Sequence, residues 1–246
     1  MASNLGQTQI FCLTKDFGFF IIDFKPANRF VTSRLDFMKN IWELLEKKES
    51  RQKILIGKAA SKLFNDKGYL QTTTKDIADS AKLSKGGLFH YFASKNDVLY
   101  FILKNYMDLA LENFEHELTE VKDAPSKIRF IISRHINFYL ANSSEGKTLF
   151  RDAHLLPTKY FKVIAEKETK YYKIVAGVLA DFINGRVEKS ELTILAFELL
   201  GMCNWIFSWY NPKGSITPGK LSEFIYDIFY EGVSGYKERR TVDNKT

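Results

Sequence analysis

The chain has 246 residues, 45% of them hydrophobic, with 36 basic and 29 acidic side chains and a net charge of +7. This balance is that of a folded globular protein, not a disordered one, and the length suits a small domain joined to a larger one. Two distant cysteines, Cys12 and Cys203, match no disulfide or metal spacing and fit a reducing cytoplasm, and none of the histidines has a companion ligand at helical spacing, so no metal and no cofactor is expected.

Residues 1–37 stand apart from the rest of the chain. Gln9 to Phe30 is rich in Phe and Ile, and FGFFIIDF reads as strand rather than helix. The run is too short to cross a bilayer, is interrupted by Lys15, Asp16 and Asp23, and lacks a charged leader, which argues against a signal peptide or anchor. Two readings compete here: a start assigned too early, with the true chain beginning near Met38, or an extra arm.

From Arg51 to Lys67 the residues Ile56, Ala59, Ala60, Leu63 and Phe64 recur at i, i+3, i+4, i+7 and i+8, an apolar helical stripe, and Gly68 suits the left-handed position that ends a helix. Thr73 is an N-cap with Asp76 three positions later, and Ile77, Ala78 and Ala81 form the inward face of a short second helix. Lys82 and Leu83 make the break, and Ser84 caps a third helix. In it Leu88 and Phe92 turn inward while Lys85, Gly86, Gly87 and His90 turn towards solvent or a partner. Each of the two glycines costs about 1 kcal/mol of helix stability relative to alanine, which makes sense where the backbone must approach something bulky. Ser94, with Asp97, caps a fourth helix predicted to run to about Glu117, with Val98, Ile102, Tyr106 and Leu109 inward. Two short helices joined by a tight turn, the second basic and glycine-containing, have the geometry of a DNA reader.

Residues 51 to about 104 resemble the DNA-binding domain of the tetracycline-repressor (TetR) family of bacterial transcription regulators. The resemblance lies in Gly68-Tyr69, in T-T-x-D-I-A (Thr73 to Ala78), in S-K-G-x-L-x-H-Y-F (Ser84 to Phe92) and in Ser94-Lys95; it departs at Lys82, where the family usually has glycine. A left-handed lysine there costs on the order of 1 kcal/mol. The resemblance implies that Lys85, Gly86, Gly87 and His90 approach base edges or the adjacent backbone and that Thr73, Thr74, Tyr91 and Lys95 hold phosphates of a double-stranded DNA operator. Lys95 also starts a helix, where free N–H groups attract anions.

Between Arg51 and Lys104 ten basic residues face four aspartates, a net +6 of the chain's +7, which fits a module that binds a polyanion. If each subunit neutralises about five phosphates, a dimer's log affinity should fall against log salt with a slope near −9.

Beyond about residue 120 the pattern stays helical, with boundaries expected at Asp123 to Ser126, Asn142 to Gly146, Pro157, Asn184-Gly185 and Asn211 to Gly219. Glu188 to Tyr210 is apolar nearly all round, so it is covered on more than one side. Leu221, Phe224, Ile225, Ile228 and Phe229 form a matching stripe on the last helix, and two such helices from each subunit would build a homodimer interface, as the resemblance also implies. Aromatic residues crowd the middle of the chain, where an effector would bind. The candidate contacts are Phe138, Phe150, Arg151, His154, Tyr172, Trp205 and Trp209, of which Arg151, His154 and Trp205 are the polar anchors. The ending from Asn204 to Phe224 is more loosely similar to TetR-family members that respond to fatty acyl or other coenzyme A thioesters.

The expected fold is all-α: an extension over 1–47, a helix-turn-helix domain over 48–97, a helical effector-binding and dimerisation domain over 98–237 and a tail over 238–246. The expected function is a dimeric, cytoplasmic DNA-binding regulator, a repressor released by a largely apolar effector such as an acyl-CoA or fatty acid, with no membrane partner. The alternative is a diverged helical ligand-binding or interaction module without operator binding. No nucleophile elbow, P-loop or dinucleotide fingerprint points to an enzyme.

Overall fold

The computed structural model describes residues 10–14, 17–22, 34–184 and 187–243, with side chains described over 46–184 and 187–236. Two compact units are present, Met1–Glu49 and Ser50–Thr246. In the first, β1 (Ile10–Thr14) and β2 (Phe17–Ile22) form an antiparallel hairpin in which Ile10 pairs with Ile22 and Cys12 with Phe20. The strand reading of this stretch is therefore met, while Phe24 to Phe30 lie outside the described residues. All other described elements are helical.

Helix α1 runs Arg34–Lys67, beginning well before the expected Arg51. Ile56, Ala60 and Phe64 are fully buried and Ala59 and Leu63 half-buried, as the stripe requires, and Gly68 ends the helix at φ +89°. Helix α2 (Thr74–Ser80) begins with a reciprocal capping box: the Thr73 hydroxyl accepts from the Asp76 N–H, and the Asp76 carboxylate accepts from the Thr73 N–H. Those bonds, together with Lys67, hold the Asp76 carboxyl down at about 2. Lys82 takes the left-handed turn conformation at φ +56°, and the Ser84 hydroxyl accepts from the Gly87 N–H at the start of α3 (Lys85–Tyr91).

Helix α4 covers Lys95–Leu111 and stops short of the expected Glu117; Asn113 is left-handed at φ +56° and α5 (Phe114–Thr119) follows. Arg134 of α6 (Ala124–Ala141) explains how the break is tolerated. Its guanidinium donates to the open carbonyls of Ala110 (2.7 Å) and Glu112 (2.8 Å) and to the Glu117 carboxylate (2.6 Å), and it lies 4.5 Å from the centre of the Phe114 ring. Leu109, expected inward, is exposed, while Met107 and Ala110 beside it are buried.

Only Asn142 separates α6 from α7 (Ser143–Asp152), so Ser143 to Gly146 is helix and not a loop. A 3₁₀ turn, Ala153–Leu155, and Pro157 lead into α8 (Thr158–Ile183), which ends at left-handed Asn184; Gly185 lies outside the described residues. Helix α9 (Lys189–Asn204) tightens into a 3₁₀ turn, Trp205–Ser208, and α10 (Pro218–Asp243) closes the bundle against α6 and α9.

The stretch Lys189–Ser208 is long and apolar enough to cross a membrane by length and composition alone. In the fold its inward side (Ala196, Leu199, Cys203, Ile206) is buried, while Ile194, Phe197 and Trp205 are exposed. The expected α10 stripe is likewise divided: Leu221, Ile225 and Phe229 are buried, whereas Phe224 and Ile228 face outward.

Arg134→Ala removes three charge-assisted bonds from a mostly buried guanidinium and leaves helix-end carbonyls open, so a loss of about 2 kcal/mol is expected. Urea unfolding at fixed protein concentration measures it; an unchanged midpoint would mean that water replaces the guanidinium without loss.

Candidate nucleic-acid interface and internal cavity

Helices α2 and α3 are held against the bundle by Ile77, Ala78, Leu88 and Phe92, all buried. Opposite them the outer side of α3 carries Lys85, Gly86, Phe89 and His90, all exposed, with Gly87 and Tyr91 half-buried. Thr73 and Thr74 stand at the α2 N-terminus, exposed and half-buried respectively. The two glycines have different surroundings. A Cβ on Gly87 would come within 3.3 Å of the capping Ser84 hydroxyl, whereas a Cβ on Gly86 would meet nothing nearer than that same oxygen at 3.9 Å. Among the described residues nothing demands glycine at 86.

Lys95 departs from its expected role. Its ammonium donates to the carbonyls of Tyr69 (2.8 Å), Leu70 (3.3 Å) and Thr72 (2.8 Å) and sits 4.4 Å from the centre of the Tyr69 ring. An ammonium has three donors, and all three have partners. The side chain folds back across the turn between α1 and α2, whose carbonyls lack helical partners, and burial lowers its pKa. Lys95 is a clamp within the fold and does not reach out to phosphate.

Below this unit a cavity of about 620 Å³ opens between α4, α6, α7, α8 and α9. Of the expected contacts, Phe138, Phe150, Tyr172 and Trp205 line it; Arg151, His154 and Trp209 do not. Gly146, Leu149 and Phe150 share one side of α7, so Arg151 is turned away and exposed, and His154 is exposed on the 3₁₀ turn beyond. Trp209 would lie roughly 40° from Trp205 if α9 stayed α-helical, but three residues per turn rotate it roughly 120° away.

The polar wall of the cavity comes from His135, Tyr171, Asn204, Glu168 and Thr169, none of them among the candidate contacts. His135 bridges Tyr171 Oη (2.9 Å) and Asn204 Oδ1 (3.0 Å); with the amide oxygen facing it, Nε2 donates and Nδ1 accepts the tyrosine hydroxyl. Burial drives the imidazole pKa down to about 4, so it is neutral. Partial burial also raises the Glu168 pKa, although the residue as a whole is exposed, and no lysine or arginine is among the described residues that line the cavity. The signal for these residues was weak because 36 and 69 positions of sequence separate His135 from its two partners.

The outer side of α7 meets α1. Asn65 Nδ2 donates to the Ser144 carbonyl (2.8 Å) and to Thr148 Oγ1 (3.3 Å), and the fully buried Ser61 and Thr148 hydroxyls lie 3.2 Å apart. One helix therefore touches both the cavity and the helix that carries the DNA-reader unit.

Two family models match this chain: one described as bacterial regulatory proteins, tetR family, over residues 56–100, and one described as tetracyclin repressor-like, C-terminal domain, over residues 122–233. The HTH-type transcriptional repressor KstR2 of Rhodococcus jostii is 26% identical, over 76% of this chain and 93% of its own length. The fatty acid metabolism regulator protein of Bacillus subtilis is 25% identical, over 76% of this chain and 98% of its own. Among solved structures, AibR in complex with isovaleryl coenzyme A and operator DNA shares the fold with a TM-score of 0.64, at 23% identity over 72% of this chain and 97% of its own.

Lys95→Met should lower stability by about 1 kcal/mol, the half-exposed ammonium holding back the full value of a buried charged bond, and should leave the salt dependence of DNA binding unchanged. A salt slope shallower by one phosphate, measured by fluorescence polarisation, would restore the phosphate role. His135 makes a separate prediction: its folded pKa lies below its unfolded one, so the unfolded chain binds the extra proton and stability falls as pH drops from about 6.5 towards 4. His135→Gln should flatten this part of the stability profile in urea titrations; an unaltered slope would refute it.

Proposed function

The chain belongs to the tetracycline-repressor (TetR) family of bacterial transcription regulators, and from that premise we propose that it is a repressor that binds a near-palindromic operator as a homodimer and leaves it when a small, largely apolar effector fills the cavity. Lys85, Gly86, Gly87 and His90 address the major groove, and Thr73, Thr74 and Tyr91 hold its phosphate rim. The exposed Ile194, Phe197, Trp205, Phe224 and Ile228 form the apolar surface that a second copy covers. A regulator of this kind acts where the chromosome is, in the cytoplasm.

The observation that carries this reading is the double engagement of α7, which lines the cavity with Gly146, Leu149 and Phe150 and is hydrogen-bonded to α1 through Ser144 and Thr148. An effector acts only through its different affinity for two arrangements of the protein. Filling the cavity displaces α7 and α4 together, and α4 begins directly after the reader helix, so the spacing of the two reader helices changes. Half-sites lie about 34 Å apart, and a shift of a few ångströms prevents both from docking.

The character of the cavity narrows the effector. A free carboxylate would enter a site whose described lining has no lysine or arginine to receive it, whereas a thioester or other neutral carbonyl needs none. An acyl-CoA with its acyl group enclosed is favoured over the free fatty acid, and the relative named for fatty acid metabolism is in keeping with an acyl chain in either form.

The test is binding of the purified dimer to its own upstream DNA at two salt concentrations, with and without a panel of acyl-CoA thioesters and the matching free acids. A log–log salt slope near −9 and release by a thioester but not its acid are expected. Lys85→Ala should weaken binding about tenfold or more, Gly86→Ala should weaken it without loss of thermal stability, and Thr148→Val should blunt release while sparing effector-free binding. Binding no tighter than to unrelated DNA under every condition would reject the repressor reading.

A further inference from the structure

Phe89 is the one large apolar side chain exposed on the outer side of the reader helix among the described residues, 43% accessible, and neither the fold nor the phosphate-holding roles account for it. It stands four residues from Lys85, so the two share a stripe, and the Lys85 ammonium lies 5.9 Å from the ring centre. A phenyl ring donates and accepts nothing, so it cannot hold a phosphate. Its exposed neighbours on α3 are Lys85, Gly86 and His90, which makes the apolar patch a single ring, far smaller than a protein-docking surface. In the major groove the C5-methyl of thymine is the distinctive apolar group on a base edge, and Phe is among the side chains that contact it. Gly86, which no contact inside the chain requires, leaves out a side chain beside that ring and lets the helix approach the base edges closely.

Resting on the DNA-binding reading above, we propose that Phe89 is a specificity-determining residue that reads a thymine in each operator half-site through its C5-methyl, with Lys85 alongside it addressing a neighbouring base or phosphate. The ring supplies sequence preference where the lysine supplies mostly attraction.

The experiment starts from duplexes selected by the full-length protein out of a random-sequence pool, followed by replacement of each thymidine with deoxyuridine, which removes only the methyl. For the wild-type protein one replacement in a single half-site should weaken binding about fourfold, the value of one methyl group withdrawn from an apolar contact. Phe89→Ala should bind the parent duplex more weakly and respond less than twofold to the same replacement, while Phe89→Leu keeps part of the response. Since the side chain is exposed, both variants should fold as the wild type does. Equal sensitivity of wild type and Phe89→Ala, or a wild type indifferent to deoxyuridine at every position, overturns the proposal while leaving DNA binding intact. A pool that yields no enriched sequence removes the DNA-binding reading and this proposal together.

Discussion

Helix α4 runs through the one hydrophobic core that joins the reader unit to the cavity, and the rest of the molecule is arranged around that constraint. Its first turns bury Val98, Leu99, Ile102 and Leu103, and its last turns bury Tyr106, Met107 and Ala110, three residues that also line the cavity. At the upper end α1 comes so close that a Cβ on Gly57 would sit 3.3 Å from the Phe101 ring. Further ties fix the helix from the side: Tyr160 Oη donates to Asp97 (2.6 Å) and its ring stacks on Tyr100, while Lys167 of α8 pairs with Asp108. A helix packed at both ends moves as a body, because close-packed interiors transmit displacement instead of absorbing it. Helix α4 is thus the element that joins the cavity to the reader helix that precedes it.

The reader unit is small, and local chemistry accounts for much of its order. Helices α2 and α3 have seven residues each, well below the length at which an isolated helix holds together in water. Thr73 with Asp76 and Ser84 with Gly87 satisfy the donors at both starts, and Lys95 satisfies three carbonyls in the turn before α2. With those groups paired internally, the outer side of α3 is left free of structural duty. Lysine, glycine, phenylalanine and histidine stand there with their recognition chemistry unspent.

The cavity obeys a different logic. Its walls are mostly aromatic and aliphatic; among its polar groups Tyr171, His135 and Asn204 satisfy one another in a chain, while the buried Tyr139 hydroxyl has no hydrogen-bond partner among the described residues. Such a lining holds a body of the right shape without demanding a particular charge, and its described residues offer a negative one no lysine or arginine. The divided surfaces of α9 and α10 belong to the same economy: each helix has one side in the core and another, equally apolar, left open to solvent in the single chain.

How much of this was legible in the sequence depends on how far apart the interacting residues lie. The capping residues, the left-handed positions at Gly68 and Lys82 and the inward faces of the reader helices act over three or four positions, so their chemistry is written locally and can be read there. The break after Leu111 was not legible, because the carbonyls it exposes are answered by Arg134 more than twenty residues later. Likewise the membership of the cavity was half legible: aromatic content pointed to Phe138, Phe150, Tyr172 and Trp205, but the 3₁₀ tightening that turns Trp209 away, and the convergence of His135 and Asn204, arise from packing between helices. Lys95 shows the limit most plainly. Its position at a helix start was correct, yet a four-carbon stem lets its charge point either outward or back, and only the folded turn, with three carbonyls within reach, decided the direction.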